Sequence, residues 1–104
     1  MKITLQYFDG CPNWKTTDTH LQKLVETGLV EAEVDYQLID TIHAAEQRQF
    51  HGSPTVLIDG IDPFADDDTP VGLACRVYQT EQGPAGSPTL HQLEQAITGA
   101  QVRG

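Results

Sequence analysis

The junction between the first strand-like run and the first helical pattern constrains this chain more than any other feature. Residues 2–8 alternate apolar and polar side chains, as a strand does, and the alternation breaks at the Gly-Cys-Pro sequence of residues 10–12. From residue 12 to residue 28 the apolar positions recur on one stripe of an α-helix. Residues 33–40 alternate again, so this part of the chain predicts a βαβ unit with two parallel strands.

Cys11 gives this junction its chemical interest. Pro12 suits the first helical position because no N–H partner is needed there, and this would place Cys11 at the N-cap. Unpaired N–H groups and the positive end of the helix dipole then favour the reactive thiolate, whereas the carboxylate of Asp9 disfavours it. We therefore expect Cys11 to be partly exposed and to react with alkylating reagents faster than Cys75. A buried, inert cysteine is the alternative.

The middle of the chain predicts a second helix and a third strand. Residues 41–50 have a short helical pattern, with Asp40 or Thr41 available as its N-cap. Residues 54–58 are apolar and β-branched after an initial proline, and they end at an Asp-Gly turn signal. This run is typical of a strand that opens a hairpin.

The last third of the chain predicts a loop, a strand and a helix. The acidic stretch 61–69 fits no calcium-binding loop and is expected to be solvated. A fourth strand is expected within residues 71–80, and a loop within residues 82–87 because of its glycines and proline. Ser87 is the expected N-cap of a last helix that ends at Gly99.

Length and charge limit the possible partners. A chain of 104 residues is long enough to bury its own core, so we expect a single domain over residues 1–104. Six Lys and Arg against fifteen Asp and Glu give a net charge of −9. Nucleic acids and anionic membranes are not expected partners, because both are bound through clustered Lys and Arg. Neither a signal peptide nor a membrane-spanning stretch is evident, so we expect a cytoplasmic protein.

The order of these elements and two short motifs resemble the thioredoxin superfamily. The motifs are Cys11 between the first strand and first helix, and Ser53-Pro54 at the start of a later strand, where the family has a cis-proline beside its active thiol. The Gly-Cys-Pro-Asn-Trp sequence of residues 10–14 is similar to that of small bacterial thioredoxin-like proteins of unassigned role. The resemblance implies an α/β, thioredoxin-like fold: a four-stranded mixed sheet of order 2-1-3-4 with helices on both faces. It also implies a cis bond before Pro54.

One position departs from the family pattern. Thioredoxins and dithiol glutaredoxins have a C-x-x-C motif, but Trp14 stands where the second cysteine would be. Resolution would then come from Cys75, with Arg76 beside it to help hold a thiolate, or from an external thiol. A disulfide with Cys11 requires Cα atoms within about 7 Å, and a small buried core residue is the alternative for Cys75. His51 precedes the Ser-Pro motif and is most simply a polar loop residue.

The resemblance implies a thioredoxin- or glutaredoxin-like thiol-disulfide oxidoreductase with Cys11 as its nucleophile. Its substrate would be a thiol or disulfide of a protein or of glutathione, and no cofactor or metal is expected. Pro12, Trp14, Ser53 and Pro54 are the expected substrate-binding residues, although Trp14 is most simply a core anchor for the first helix. The rival hypothesis is a non-enzymatic binding or redox-sensing module, in which Cys11 is modified or binds a soft metal.

Overall fold

The computed structural model describes the backbone of residues 1–103 and the side chains of residues 1–101. The elements in chain order are β1 (Lys2–Tyr7), α1 (Trp14–Glu26), β2 (Glu33–Leu38), α2 (Ile42–Gln47), β3 (Thr55–Ile58), β4 (Tyr78–Thr80), β5 (Gly83–Ala85) and α3 (Leu90–Arg103). In the described part of the chain, every helix is too short or too polar to cross a membrane.

The main sheet contains three strands in the order β2-β1-β3. β1 pairs with β2 in parallel, so the βαβ unit predicted from the sequence is confirmed. β1 also pairs with β3 in the antiparallel direction, with Ile3 opposite Ile58 and Leu5 opposite Val56. The central strand therefore leads directly into the loop that carries the first cysteine.

The expected four-stranded, thioredoxin-like sheet is wrong. β4 and β5 form a separate two-stranded hairpin, and β4 is the only part of residues 71–80 that is a strand. The reason lies at the outer edge of β3, where local contacts take the place of a fourth strand. Ile58 exchanges two backbone hydrogen bonds with Ile61, and the Pro54 carbonyl accepts the Tyr78 hydroxyl at 2.5 Å. The fold is an α/β arrangement of a three-stranded mixed sheet, a hairpin and helices.

α1 and α3 bury the main core against β1 and β3. Its buried members are Ile3, Leu5, Leu21, Leu24, Val30, Val56, Ile58, Leu93 and Ile97. Burial of each Leu or Ile side chain contributes roughly 1.5–3 kcal/mol, so this core is the main source of stability. α2 belongs to a second, smaller cluster of Ile39, Ala45 and Phe50.

The last two helices begin at side-chain caps. Thr41 is the N-cap of α2, one of the two residues expected there, and its hydroxyl accepts the Ala44 N–H at 3.0 Å. At α3 the cap is Thr89 rather than Ser87. The Thr89 hydroxyl accepts the Gln92 N–H, and the Gln92 side chain accepts the Thr89 N–H, which is a capping box. α3 also continues beyond Gly99 instead of ending there.

Candidate functional site

Cys11 and Cys75 form a disulfide although 64 positions separate them in the sequence. Their Cα atoms are 5.8 Å apart, well within bonding reach. Cys11 comes from the loop between β1 and α1, and Cys75 comes from residues 74–76, here called the Cys75 segment. The structure therefore brings together the two residues that the sequence offered as a catalytic pair.

Cys11 does not occupy the expected helix cap. The N-cap of α1 is Asn13, and it makes no side-chain capping bond. The Lys15 N–H donates to the Pro12 carbonyl at 3.1 Å, so Pro12 and Asn13 form a tight turn ahead of the helix. The Cys11 N–H donates back to the Phe8 carbonyl at 3.3 Å. Cys11 is 0 % exposed, so the expectation of a partly exposed thiol at this position is wrong.

Ser53 joins the two cysteine-bearing parts of the chain. Its N–H donates to the Ala74 carbonyl at 2.8 Å and its carbonyl accepts the Arg76 N–H at 3.0 Å, which makes a one-residue parallel bridge opposite Cys75. Its hydroxyl accepts the Phe8 N–H at 3.3 Å, at the start of the loop that carries the other cysteine. Ser53 is fully buried and holds both halves of the disulfide in place.

The backbone groups of Ser53 and Pro54, two of the expected substrate-binding residues, bind other parts of the protein. The Ser53–Pro54 bond is cis, as expected. Both backbone groups of Ser53 bind the Cys75 segment, and the Pro54 carbonyl accepts the Tyr78 hydroxyl. Burial raises the pKa of Tyr78 well above its usual range, so this hydroxyl stays protonated and donates. Ser53 and Pro54 therefore position the disulfide in this state and offer an extended substrate no free backbone groups.

Gly52 lets the Cys75 segment approach the main sheet. Its φ is +105°, and a Cβ at this position would lie 3.0 Å from the Ala74 carbonyl oxygen and 3.1 Å from Arg76 Cβ. Backbone atoms cannot easily move aside, so an added methyl group would push the Cys75 segment away. We expect Gly52→Ala to lower the free energy of unfolding by about 2–4 kcal/mol, measured by urea denaturation.

Gly83→Ala is the matched control for this substitution. Gly83 has a similar φ of +99°, but nothing lies within 4 Å of its would-be Cβ. This variant therefore reports the backbone penalty alone, about 1–2 kcal/mol. Equal losses in the two variants would contradict the close packing of the Cys75 segment on Gly52.

Arg76 and Asp62 form a buried ion pair beside the disulfide. The Arg76 guanidinium lies 2.6 Å from the Asp62 carboxylate, and the two side chains are only 6 % and 7 % exposed. Arg76 also donates to the Thr55 hydroxyl at 3.2 Å and lies 4.6 Å from the centre of the Tyr78 ring. Arg76 is thus bound by Asp62 and is not free to hold a thiolate at Cys75. Asp62 is buried, contrary to the expectation of a solvated acidic loop.

A cavity of about 530 Å³, here called the Cys75 cavity, opens beside the disulfide. Cys75 is exposed and lines it, whereas Cys11 does not. Most of the other lining residues are apolar, and they include Phe64, Pro70, Val71, Ala74 and Val77. His51 also lines the cavity, with Nδ1 3.2 Å from the Pro70 carbonyl oxygen. The disulfide therefore borders this cavity through Cys75 and not through Cys11.

Pro12 and Trp14 lie outside the Cys75 cavity. Pro12 is exposed, while Trp14 is half-buried against the main core. The Trp14 ring lies 4.4 Å from the Tyr7 ring, measured between centroids. Trp14 therefore anchors the start of α1, and the structure does not bring it together with the exposed half of the disulfide.

Within the described residues, no group of three or more His, Cys, Asp or Glu side chains is placed to hold a metal ion. Comparison of the chain with family models, with curated proteins and with solved structures found no match.

Proposed function

We propose that this protein is a thiol-disulfide oxidoreductase whose redox pair is Cys11 and Cys75. One observation carries the proposal: the only two cysteines of the chain meet in a disulfide, with one half buried and the other exposed at a cavity. Exposed disulfides are typically the labile, regulatory or catalytic ones, whereas structural disulfides resist thiols. Cys75 also supplies a second thiol, which the C-x-x-C position lacks because Trp14 stands there.

The chemistry requires two thiols and no cofactor. In the reduced protein, one cysteine thiolate attacks a substrate disulfide and releases one substrate thiolate. The second cysteine then attacks the protein's half of the mixed disulfide, which frees the remaining substrate thiol and forms the Cys11–Cys75 bond. Two electrons pass from the protein to the substrate, and an external thiol restores the reduced pair. Substrates are thiols or disulfides of proteins or of small molecules.

Catalytic turnover tests this proposal. Wild-type protein at a small fraction of the substrate concentration should accelerate the reduction of bis(2-hydroxyethyl) disulfide by dithiothreitol over many cycles. The double variant Cys11→Ser/Cys75→Ser should return the rate to the uncatalysed value, since a serine hydroxyl does not form an accessible anion. Thr16→Ala, at an exposed position of α1, should leave the rate unchanged. A wild-type rate equal to the uncatalysed one would rule the proposal out.

The rival hypothesis is a redox-sensing module that forms the same disulfide without turnover, and the same assay separates the two. Soft-metal binding through Cys11 has less support, because its sulfur is bonded to Cys75 and the described residues offer no further cluster of ligands.

A further inference from the structure

We propose that Cys75, not Cys11, is the sulfur that exchanges with the substrate, and that the substrate thiol reaches it through the Cys75 cavity. This inference rests on the proposed function and assigns the roles of the two cysteines within it. The assignment is the reverse of the one that the sequence suggests, where Cys11 at a helix start is the nucleophile.

The two cysteines differ in exposure. Disulfide exchange requires an incoming thiolate to contact one of the two sulfur atoms directly. Cys11 is 0 % exposed, whereas Cys75 is exposed and lines the cavity. A thiolate arriving from solution therefore meets Cys75, and Cys11 becomes the leaving group.

The exchange takes place in two steps. A substrate thiolate attacks Cys75 Sγ, the Cys11–Cys75 bond breaks, and its electron pair leaves with Cys11, which takes up the proton that the substrate thiol lost. A second substrate thiolate attacks the substrate sulfur of the mixed disulfide and releases Cys75 as a thiolate, which takes up the proton that the second substrate thiol lost. Two substrate thiols become one disulfide, and the protein gains two electrons and two protons. In the reverse direction, Cys75 is the nucleophile and Cys11 is the resolving thiol.

The lining of the cavity identifies the class of substrate. Phe64, Val71 and Val77 make the walls apolar, and the guanidinium of Arg76 is already paired with Asp62. The carboxylates of glutathione would therefore find no available Arg or Lys in the cavity, in a chain whose net charge is −9. The geometry favours a thiol that is flanked by uncharged, apolar groups.

Single-cysteine variants test which sulfur reacts. Cys11→Ser retains Cys75 alone, and Cys75→Ser retains Cys11 alone. With 4,4′-dithiodipyridine, an uncharged aromatic disulfide, the Cys11→Ser protein should form its mixed disulfide at least about tenfold faster than the Cys75→Ser protein. Equal rates, or faster reaction of Cys11, would overturn the assignment.

This readout is a single reaction rather than turnover, so it can fail independently of the proposed function. If the protein turns over but Cys11 reacts faster than Cys75, the assignment of Cys75 as the exchanging sulfur is wrong and the proposed oxidoreductase function still stands. If Cys75 reacts faster but the protein shows no turnover, Cys75 is the more accessible sulfur and the proposed enzymatic function is wrong.

Two matched substitutions test the route through the cavity. Val77→Trp places a large ring in the cavity, at a residue that is 64 % exposed. The control, Ile61→Trp, places the same ring outside the cavity, at a residue that is 63 % exposed. Reduction of the oxidised protein by benzyl mercaptan should slow about tenfold in Val77→Trp and remain unchanged in Ile61→Trp. Wild-type protein should also react faster with benzyl mercaptan than with glutathione at equal thiolate concentration. An unchanged rate in Val77→Trp would rule out the route through the cavity. A preference for glutathione would rule out the apolar substrate class.

Discussion

Reduction of the Cys11–Cys75 disulfide should lower the free energy of unfolding by about 4 kcal/mol while leaving the chain folded. The bond links residues that are 64 positions apart, and a cross-link of this span removes that much conformational entropy from the unfolded chain. Neither cysteine belongs to the main core between α1, α3 and the sheet, so that core remains in the reduced protein. A folded dithiol form is what catalytic cycling requires.

Urea denaturation with and without dithiothreitol measures this difference. The double variant Cys11→Ser/Cys75→Ser is the control: it should match the reduced wild-type protein and should not respond to dithiothreitol. A reduced wild-type protein that is unfolded without urea would show that the disulfide is a structural requirement and would argue against cycling.

Asp62→Asn should destabilise the protein by about 3–5 kcal/mol, because it leaves the buried Arg76 guanidinium without its counter-charge. Asn has nearly the same shape as Asp, so the loss of stability measures the effect of removing the charge rather than a change in packing. Arg76 follows Cys75 directly, and its N–H is bound to Ser53, so the variant should also loosen the Cys75 segment. Both effects can be followed in one protein, by urea denaturation and by hydrogen exchange at the Arg76 amide.

An exposed ion pair in the same chain provides the control. Lys2 and Asp35 lie 3.2 Å apart with both side chains largely exposed. Asp35→Asn should therefore change the free energy of unfolding by at most about 1 kcal/mol. The double substitution Asp62→Leu with Arg76→Met should recover much of the loss, because no unpaired buried charge remains. Similar losses for Asp62→Asn and Asp35→Asn would contradict the burial of the Asp62–Arg76 pair.

The features that could be predicted from the sequence are those set by neighbouring residues. Alternation over residues 2–8 and 33–40, with a helical stripe between them, was sufficient for the parallel βαβ unit. Thr41 was identified as a cap from residue type and position. The Thr-x-x-Gln signal of Thr89 and Gln92 was also present, but the nearby Ser-Pro sequence favoured Ser87 as the cap.

The features that were missed depend on contacts between distant residues. A strand over residues 71–80 is plausible from its alternation, but the outer edge of β3 is occupied by Ile61 and the Tyr78 hydroxyl, which local patterning does not reveal. Asp62 resembled any other acidic loop residue, and only the fold places it against Arg76. For the same reason, the sequence suggested Cys11 and Cys75 as partners but wrongly predicted that Cys11 is exposed.

The most direct test of the redox pair is equilibration of the native protein with mixtures of reduced and oxidised dithiothreitol, followed by acid quenching, alkylation and mass spectrometry. If Cys11 and Cys75 cycle, the folded protein should convert between disulfide and dithiol in one reversible two-electron transition, and the same curve should be reached from either starting state. A bond that resists excess dithiothreitol until urea unfolds the chain would contradict the account and identify Cys11–Cys75 as a purely structural disulfide.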